Sequence, residues 1–160
     1  MNNTRSPRRA ATFRISSRRQ RRGKSLKYLL DTNVVSEPLR PKPSRSVLRK
    51  LRRHDEEIAI PSIVWHELLY GVERLPASRK RDAIERYLEE VVLTSMPILV
   101  YDREAAEWHA AERARLTARG ETPAFVDGQI AAIARRHDLI LVTFHVIEFR
   151  RFDGLAVVSW

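Results

Sequence analysis

Short apolar segments, separated from one another by helix-periodic stretches, constrain this chain more than any other feature. Leu26-Lys27-Tyr28-Leu29-Leu30, Ile58-Ala59-Ile60, Met96 to Tyr101, Leu139 to Val142 and Ala156-Val157-Val158 are each long enough for a strand and too short for a buried helix. Between them the apolar residues recur at helical spacing. Val47, Leu48 and Leu51 predict a basic amphipathic helix over 44–53, and Ile63, Val64, Leu68 and Val72 predict one from Pro61-Ser62 to Leu75, stopped by Pro76. Further helices are predicted over 78–92, from Asp102 as N-cap to Gly120, and over 124–136 with Val126, Ile130, Ile133 and Ala134 on one stripe. Short apolar strands alternating with helices imply an α/β fold: a short central parallel sheet flanked by helices in three layers. In such sheets ligands sit at the carboxyl ends of the strands, so the residues that follow each strand are the candidates for chemistry.

A chain of 160 residues, 43% of them hydrophobic, supports one core, and residues 26–160 are read as a single domain. Residues 1–27 hold ten basic residues and no acid, which leaves 20 of each sign in the remainder. The net charge of +10 therefore belongs to the N-terminal segment, and the domain itself offers no general electrostatic case for binding nucleic acid. Residues 1–25, rich in Arg and Ser with few apolar side chains, are expected to be a disordered basic extension, read as a solvated tail or the product of an upstream start codon. No secretory h-region follows the arginines, and no run of about 18 apolar residues exists to span a membrane. The absence of cysteine excludes disulfides and thiolate metal sites and is compatible with a cytoplasmic setting.

Asp31 ends the first strand, Glu67 stands in the middle of a mostly apolar helix with Gly71 four residues on, and Asp127 lies in the first turn of the helix after Pro123. Taken singly, Asp31 and Asp127 read as helix-capping acids and Glu67 as a solvated one. Together, near strand ends and helix starts, they form a set that would repel unless a cation or protons neutralised it. Oxygen ligands of this kind suit Mg²⁺ or Mn²⁺. Other chemistry finds no support. Gly23-Lys24-Ser25 mimics the end of a phosphate-binding loop, but the first glycine of that motif falls on Arg18 and no strand precedes it. The five histidines have no paired ligand spacing and are expected to be mostly surface or boundary residues, and no GxSxG elbow occurs.

The chain resembles the PIN-domain ribonucleases, and within them the VapC and FitB type toxins of type II toxin–antitoxin modules. The resemblance covers nearly all of residues 27–160. It rests on Tyr28-Leu29-Leu30-Asp31-Thr32-Asn33-Val34-Val35-Ser36-Glu37-Pro38, on Ile60-Pro61-Ser62-Ile63-Val64-Trp65-His66-Glu67-Leu68 with Gly71, and on Phe125-Val126-Asp127-Gly128-Gln129-Ile130-Ala131-Ala132-Ile133-Ala134. Leu141-Val142-Thr143 and a closing Gly154 to Trp160 segment follow in order. The resemblance implies that Asp31, Glu67 and Asp127 hold Mg²⁺ or Mn²⁺, with Asn33, Thr143, His145 and Glu148 as secondary members of the site. It departs from the family at Phe144-His145, where a basic residue and then an Asp or Asn usually follow the Thr.

The implied activity is endoribonucleolytic hydrolysis of RNA by a metal-activated water, leaving a 5′ phosphate and a 3′ hydroxyl. The implied partners are a cognate antitoxin, whose tail enters the acidic pocket, and a second copy of the chain in a homodimer packed through helices. A different class of protein is weighed beside it: a PIN-fold RNA- or antitoxin-binding protein, catalytically weakened because His145 lacks a carboxylate. A metal-dependent DNA nuclease or phosphatase is the third reading.

Overall fold

The computed structural model describes residues 25–160, so the basic extension expected over 1–25 lies outside the described residues apart from Ser25. The first strand, β1 (Tyr28–Leu30), stops at Asp31, which caps the four-residue helix α1 (Thr32–Val35). After a 3₁₀ turn at Glu37–Leu39 the chain forms α2 (Arg45–Arg53), β2 (Ile58–Pro61) and α3 (Ser62–Glu73). Then come α4 (Arg79–Tyr87), a π-helical turn (Leu88–Val92), α5 (Leu93–Ser95) and β3 (Ile98–Leu99). The chain closes with α6 (Arg103–Ala118), α7 (Phe125–Arg136), β4 (Ile140–Val142), α8 (Val146–Phe149) and β5 (Val157–Val158).

All strand pairs are parallel, in the order β3-β2-β1-β4-β5. Leu29 faces Ala59 on one side and Leu141 on the other, and Leu30 faces Val142. These central residues are buried, as strands covered on both faces must be: Leu29, Leu30, Ala59, Ile60, Leu141 and Val142 are fully enclosed. Each such aliphatic side chain larger than alanine contributes roughly 1.5–3 kcal/mol by leaving water. Strand order reverses direction at β1, since the chain moves outward through β2 and β3 and then returns to β4 on the other side. The crevice beside the carboxyl ends of β1 and β4 is therefore the topological switch point, where the fold leaves room for a ligand.

Local signals place the helix ends. The Asp102 carboxylate accepts the Ala105 N–H at 2.9 Å to start α6. At the other end Gly120 takes φ +76°, Gly120 N–H bonds to the Thr117 carbonyl and Glu121 N–H to that of Leu116, a pattern that satisfies the last carbonyls and needs a left-handed residue.

Two expected elements differ. The helix over 78–92 is interrupted by a π-helical turn at Leu88–Val92, whose two end residues are both buried, while Tyr87 reaches back to donate its hydroxyl to the Val35 carbonyl at 2.8 Å. Periodicity counts in steps of 3.6 and does not register the extra residue of such a bulge. The strand expected over 96–101 contracts to Ile98–Leu99, because Val100 is 61% exposed and the chain turns away to cap α6.

Candidate active site

Asp31 follows β1 directly, and its backbone N–H extends the sheet by bonding to the Val142 carbonyl at 3.0 Å. The carboxylate is buried and fully engaged. One oxygen accepts the Thr32 N–H at 2.7 Å, and the other accepts both the Asn33 amide and the Thr143 hydroxyl at 2.7 Å. Thr143 stands at the end of β4, the strand beside β1, so the sheet register itself brings it to Asp31. Asn33 ties the two strand ends further by accepting the Phe144 N–H at 3.2 Å. A buried carboxylate held by several donors is fixed in direction, because each bond to a charged group is worth about 1.5–3 kcal/mol.

Glu67 projects from the middle of α3, half-buried, and accepts the hydroxyl of Thr32. Thr32 thus links two acids, giving its N–H to Asp31 and its hydroxyl to Glu67. Its link to Glu67 spans 35 residues of chain, so no local signal in the sequence announces it.

Asp127, half-buried in the first turn of α7, shows the electrostatic cost of the gathering. Its carboxyl is pushed above the usual aspartate value, first by burial and then by the negative charge of Asp31. Glu67 and Glu148 add to the rise and His145 opposes it. The structure therefore places Asp31, Glu67, His145 and Glu148 within electrostatic reach of Asp127, and Asn33 and Thr143 against Asp31. His145 and Glu148 are exposed at the rim. His145 donates its N–H to the Thr143 hydroxyl at 3.0 Å. Among the described residues, no three His, Asp or Glu side chains stand as a ready-made cluster that could hold a metal ion. Asp31 and Glu67 instead spend their oxygens on amide and hydroxyl donors of the chain itself.

Glu67 and Thr32 line a cavity of about 870 Å³ whose walls include His66, Tyr70 and Gly71 of α3 and Val126 of α7. A second cavity, of about 690 Å³, opens at the start of α7 between Phe125 and the α6 residues His109 and Arg113. Behind Asp127, the imidazole of His109 presses on the backbone of α7. A Cβ at Gly128 would lie 2.0 Å from His109 Nε2, so only glycine fits. His109 is 2% exposed, unlike the surface or boundary position expected for most of the histidines. Its Nδ1 meets the Tyr101 hydroxyl at 3.0 Å, while Nε2 is buried without a hydrogen-bond partner. Burial, and secondarily the charge of Arg113, hold its pKa below the usual histidine value. His109 and Gly128 escaped sequence reasoning as a pair because nothing local links two residues on different helices.

The five strands form one parallel sheet with Asp31 and Thr143 at the ends of neighbouring strands, and residues 28–155 match the PIN domain. This chain belongs to the PIN-domain family. It is 36% identical over 135 residues to toxin FitB of Neisseria gonorrhoeae, covering 82% of this chain and 97% of that protein. It is 32% identical to the tRNA(fMet)-specific endonuclease VapC of Shigella flexneri, covering 84% and 98%. Among solved structures, the crystal structure of FitAcB from Neisseria gonorrhoeae matches with a TM-score of 0.75 and 35% identity, over 81% of this chain and 95% of that one. No helix among the described residues is long and apolar enough to cross a membrane.

Proposed function

We propose that this protein is the toxin of a toxin–antitoxin module, a Mg²⁺- or Mn²⁺-dependent endoribonuclease that hydrolyses RNA phosphodiester bonds in the cytoplasm. The observation that carries the reading is Thr32 joining Asp31 and Glu67, with Asp127 in the electrostatic reach of both, in a chain similar to proteins named as VapC endonucleases and a FitB toxin.

The donor set fits a hard divalent cation. It offers carboxylate oxygens and no thiolate, and the Asp127 carboxyl, raised first by burial and then by the charge of Asp31, sits where a cation would favour its ionised form. Asp31, Glu67 and Asp127 would hold the ion, and a bound Mg²⁺ or Mn²⁺ would supply an activated water and neutralise charge on the phosphodiester. Thr143 and Asn33 aim the Asp31 carboxylate, and Thr32 aims that of Glu67. His145 and Glu148 face the substrate from the rim. Hydrolysis by this route leaves a 5′ phosphate and a 3′ hydroxyl.

A similar solved structure, described as a member of the VapBC family of toxin–antitoxin systems from Mycobacterium tuberculosis, supports a cognate antitoxin as partner. An antitoxin arginine pairing with these carboxylates is the inhibitory contact their chemistry favours. The exposed Phe125 and Val126 at the start of α7 support a homodimer packed through helices.

A second reading, a catalytically weakened RNA- or antitoxin-binding protein, is favoured by His145 alone, since imidazole lacks the charge of the family's acid. RNA cleavage with Mg²⁺ or Mn²⁺ by the wild type and by Asp31→Asn decides between them. The proposal expects cleavage by the former and its loss in the latter. Equal activity in both would defeat the enzymatic reading, and no cleavage by the wild type would favour the binding one.

A further inference from the structure

One face of α3 is built for something other than holding carboxylate oxygens. His66, Tyr70 and Arg74 follow one another at every fourth position and form a column along the helix. The His66 and Tyr70 rings are parallel within 7° at 6.1 Å, and the Arg74 guanidinium lies 5.6 Å from the Tyr70 ring centre. Tyr70 is 57% exposed, a large aromatic left open to solvent. Arg74 has no carboxylate partner among the described residues, whereas its neighbour Glu73 pairs with Arg81. Gly71 lies between them, with nothing within 4 Å of the place a Cβ would take. A glycine inside a helix costs about a methyl-bearing residue's worth of helix propensity, and no packing in the chain requires this one. The opening it leaves lets a ligand approach the helix backbone. All four residues line the cavity that contains Glu67.

We propose that this face is a subsite for single-stranded RNA, where one base stacks on Tyr70 and an adjacent phosphate pairs with Arg74. The inference rests on the ribonuclease reading and names how that substrate is held. Tyr70 lies about 4.5 Å and Arg74 about 10.5 Å beyond Glu67 along the helix axis, so the strand would run from the scissile phosphate outward along α3. An acidic pocket repels a polyanion, and a cation with no partner at its edge offsets that repulsion where the strand leaves it. Stacking on an exposed ring requires a base that is not already paired, which selects single strands over duplex.

The test uses a fluorescein-labelled single-stranded RNA of about ten nucleotides, with Mg²⁺, and protein carrying Asp127→Asn to prevent cleavage. Tyr70→Ala in that background should weaken binding about 5- to 150-fold, while Tyr70→Phe, which keeps the ring, stays within about twofold. Arg74→Gln should lower the slope of log affinity against log salt by about one. The same RNA annealed into a duplex should bind more weakly than the single strand. If Tyr70→Ala and Arg74→Gln bind as their parent does, the subsite is refuted, and the ribonuclease reading stands provided the wild type still cleaves. If the wild type neither binds nor cleaves RNA, that reading falls and takes the subsite with it. If Tyr70→Ala turns a dimer into a monomer and RNA binding returns at higher protein concentration, the face serves self-association, which also refutes the subsite.

Discussion

The first turn of α7 faces two unlike surroundings. In front, Asp127 lies within electrostatic reach of Asp31, Glu67, Glu148 and His145 in a half-open, charged space. Behind, Gly128 meets the His109 ring with no room for a methyl group. The front is adjustable chemistry and the back is close packing, one residue apart. Carboxylates that repel one another do not set their own positions. Rigid contact behind α7 does so, and a site of this kind is only as well placed as the helix that carries it.

The largest effect should come from the front. Asp127→Asn is expected to lower RNA cleavage more than about 100-fold with little change in folding, since it removes a proposed ligand while relieving repulsion. Initial rates with Mg²⁺, set beside denaturant midpoints, check both halves. A variant that lost stability in proportion to its activity would erase the distinction between front and back. Thr143→Val is expected next, lowering activity about 10- to 100-fold, because the buried Asp31 carboxylate loses a donor that orients it. An unchanged rate would mean that Asn33 and the Thr32 N–H suffice.

The back is sharpened by Gly128→Ala. The added methyl meets His109 Nε2 and should cost about 1–3 kcal/mol of stability by overpacking. His109→Ala combined with Gly128→Ala should be more stable than the sum of the two single effects implies, a coupling that urea denaturation of all four proteins measures. Strict additivity would place the clash elsewhere.

The smallest effect is a pH dependence. His109 titrates in the folded protein below its unfolded value of about 6.5, so the unfolded chain binds the extra proton first. Its contribution to stability is complete above about pH 6.5 and is lost as pH falls through the folded pKa. The wild type should therefore lose stability on acidification below pH 6.5 more steeply than His109→Asn, by at most about 1.4 kcal/mol per pH unit. Identical slopes would show that the imidazole is not held neutral by its surroundings.

The same contrast explains what was legible in the sequence. Strands could be read because Leu29-Leu30 or Leu141-Val142 is apolar without interruption, and the cap at Asp102 and the stop at Gly120 are written in the residues themselves. Asp31 could be singled out because it ends a strand, a local fact. Relations between distant segments could not be read this way. Thr32 reaching Glu67, His109 excluding a side chain at Gly128, and Tyr87 bonding to Val35 each join residues on different elements. The π-helical turn at Leu88–Val92 was hidden for a different reason: Leu88 and Val92 are four residues apart, the spacing of an ordinary helix face, so the apolar pattern does not mark the extra residue.

Cation binding tests the central claim most directly, through Mn²⁺ titrated calorimetrically into the wild type and into Asp31→Asn, Glu67→Gln and Asp127→Asn. If the three acids share one ion, each substitution weakens Mn²⁺ at least about tenfold, and the Mn²⁺-induced rise in melting temperature shrinks in the same order. Three variants that bind Mn²⁺ as tightly as the wild type would contradict the account.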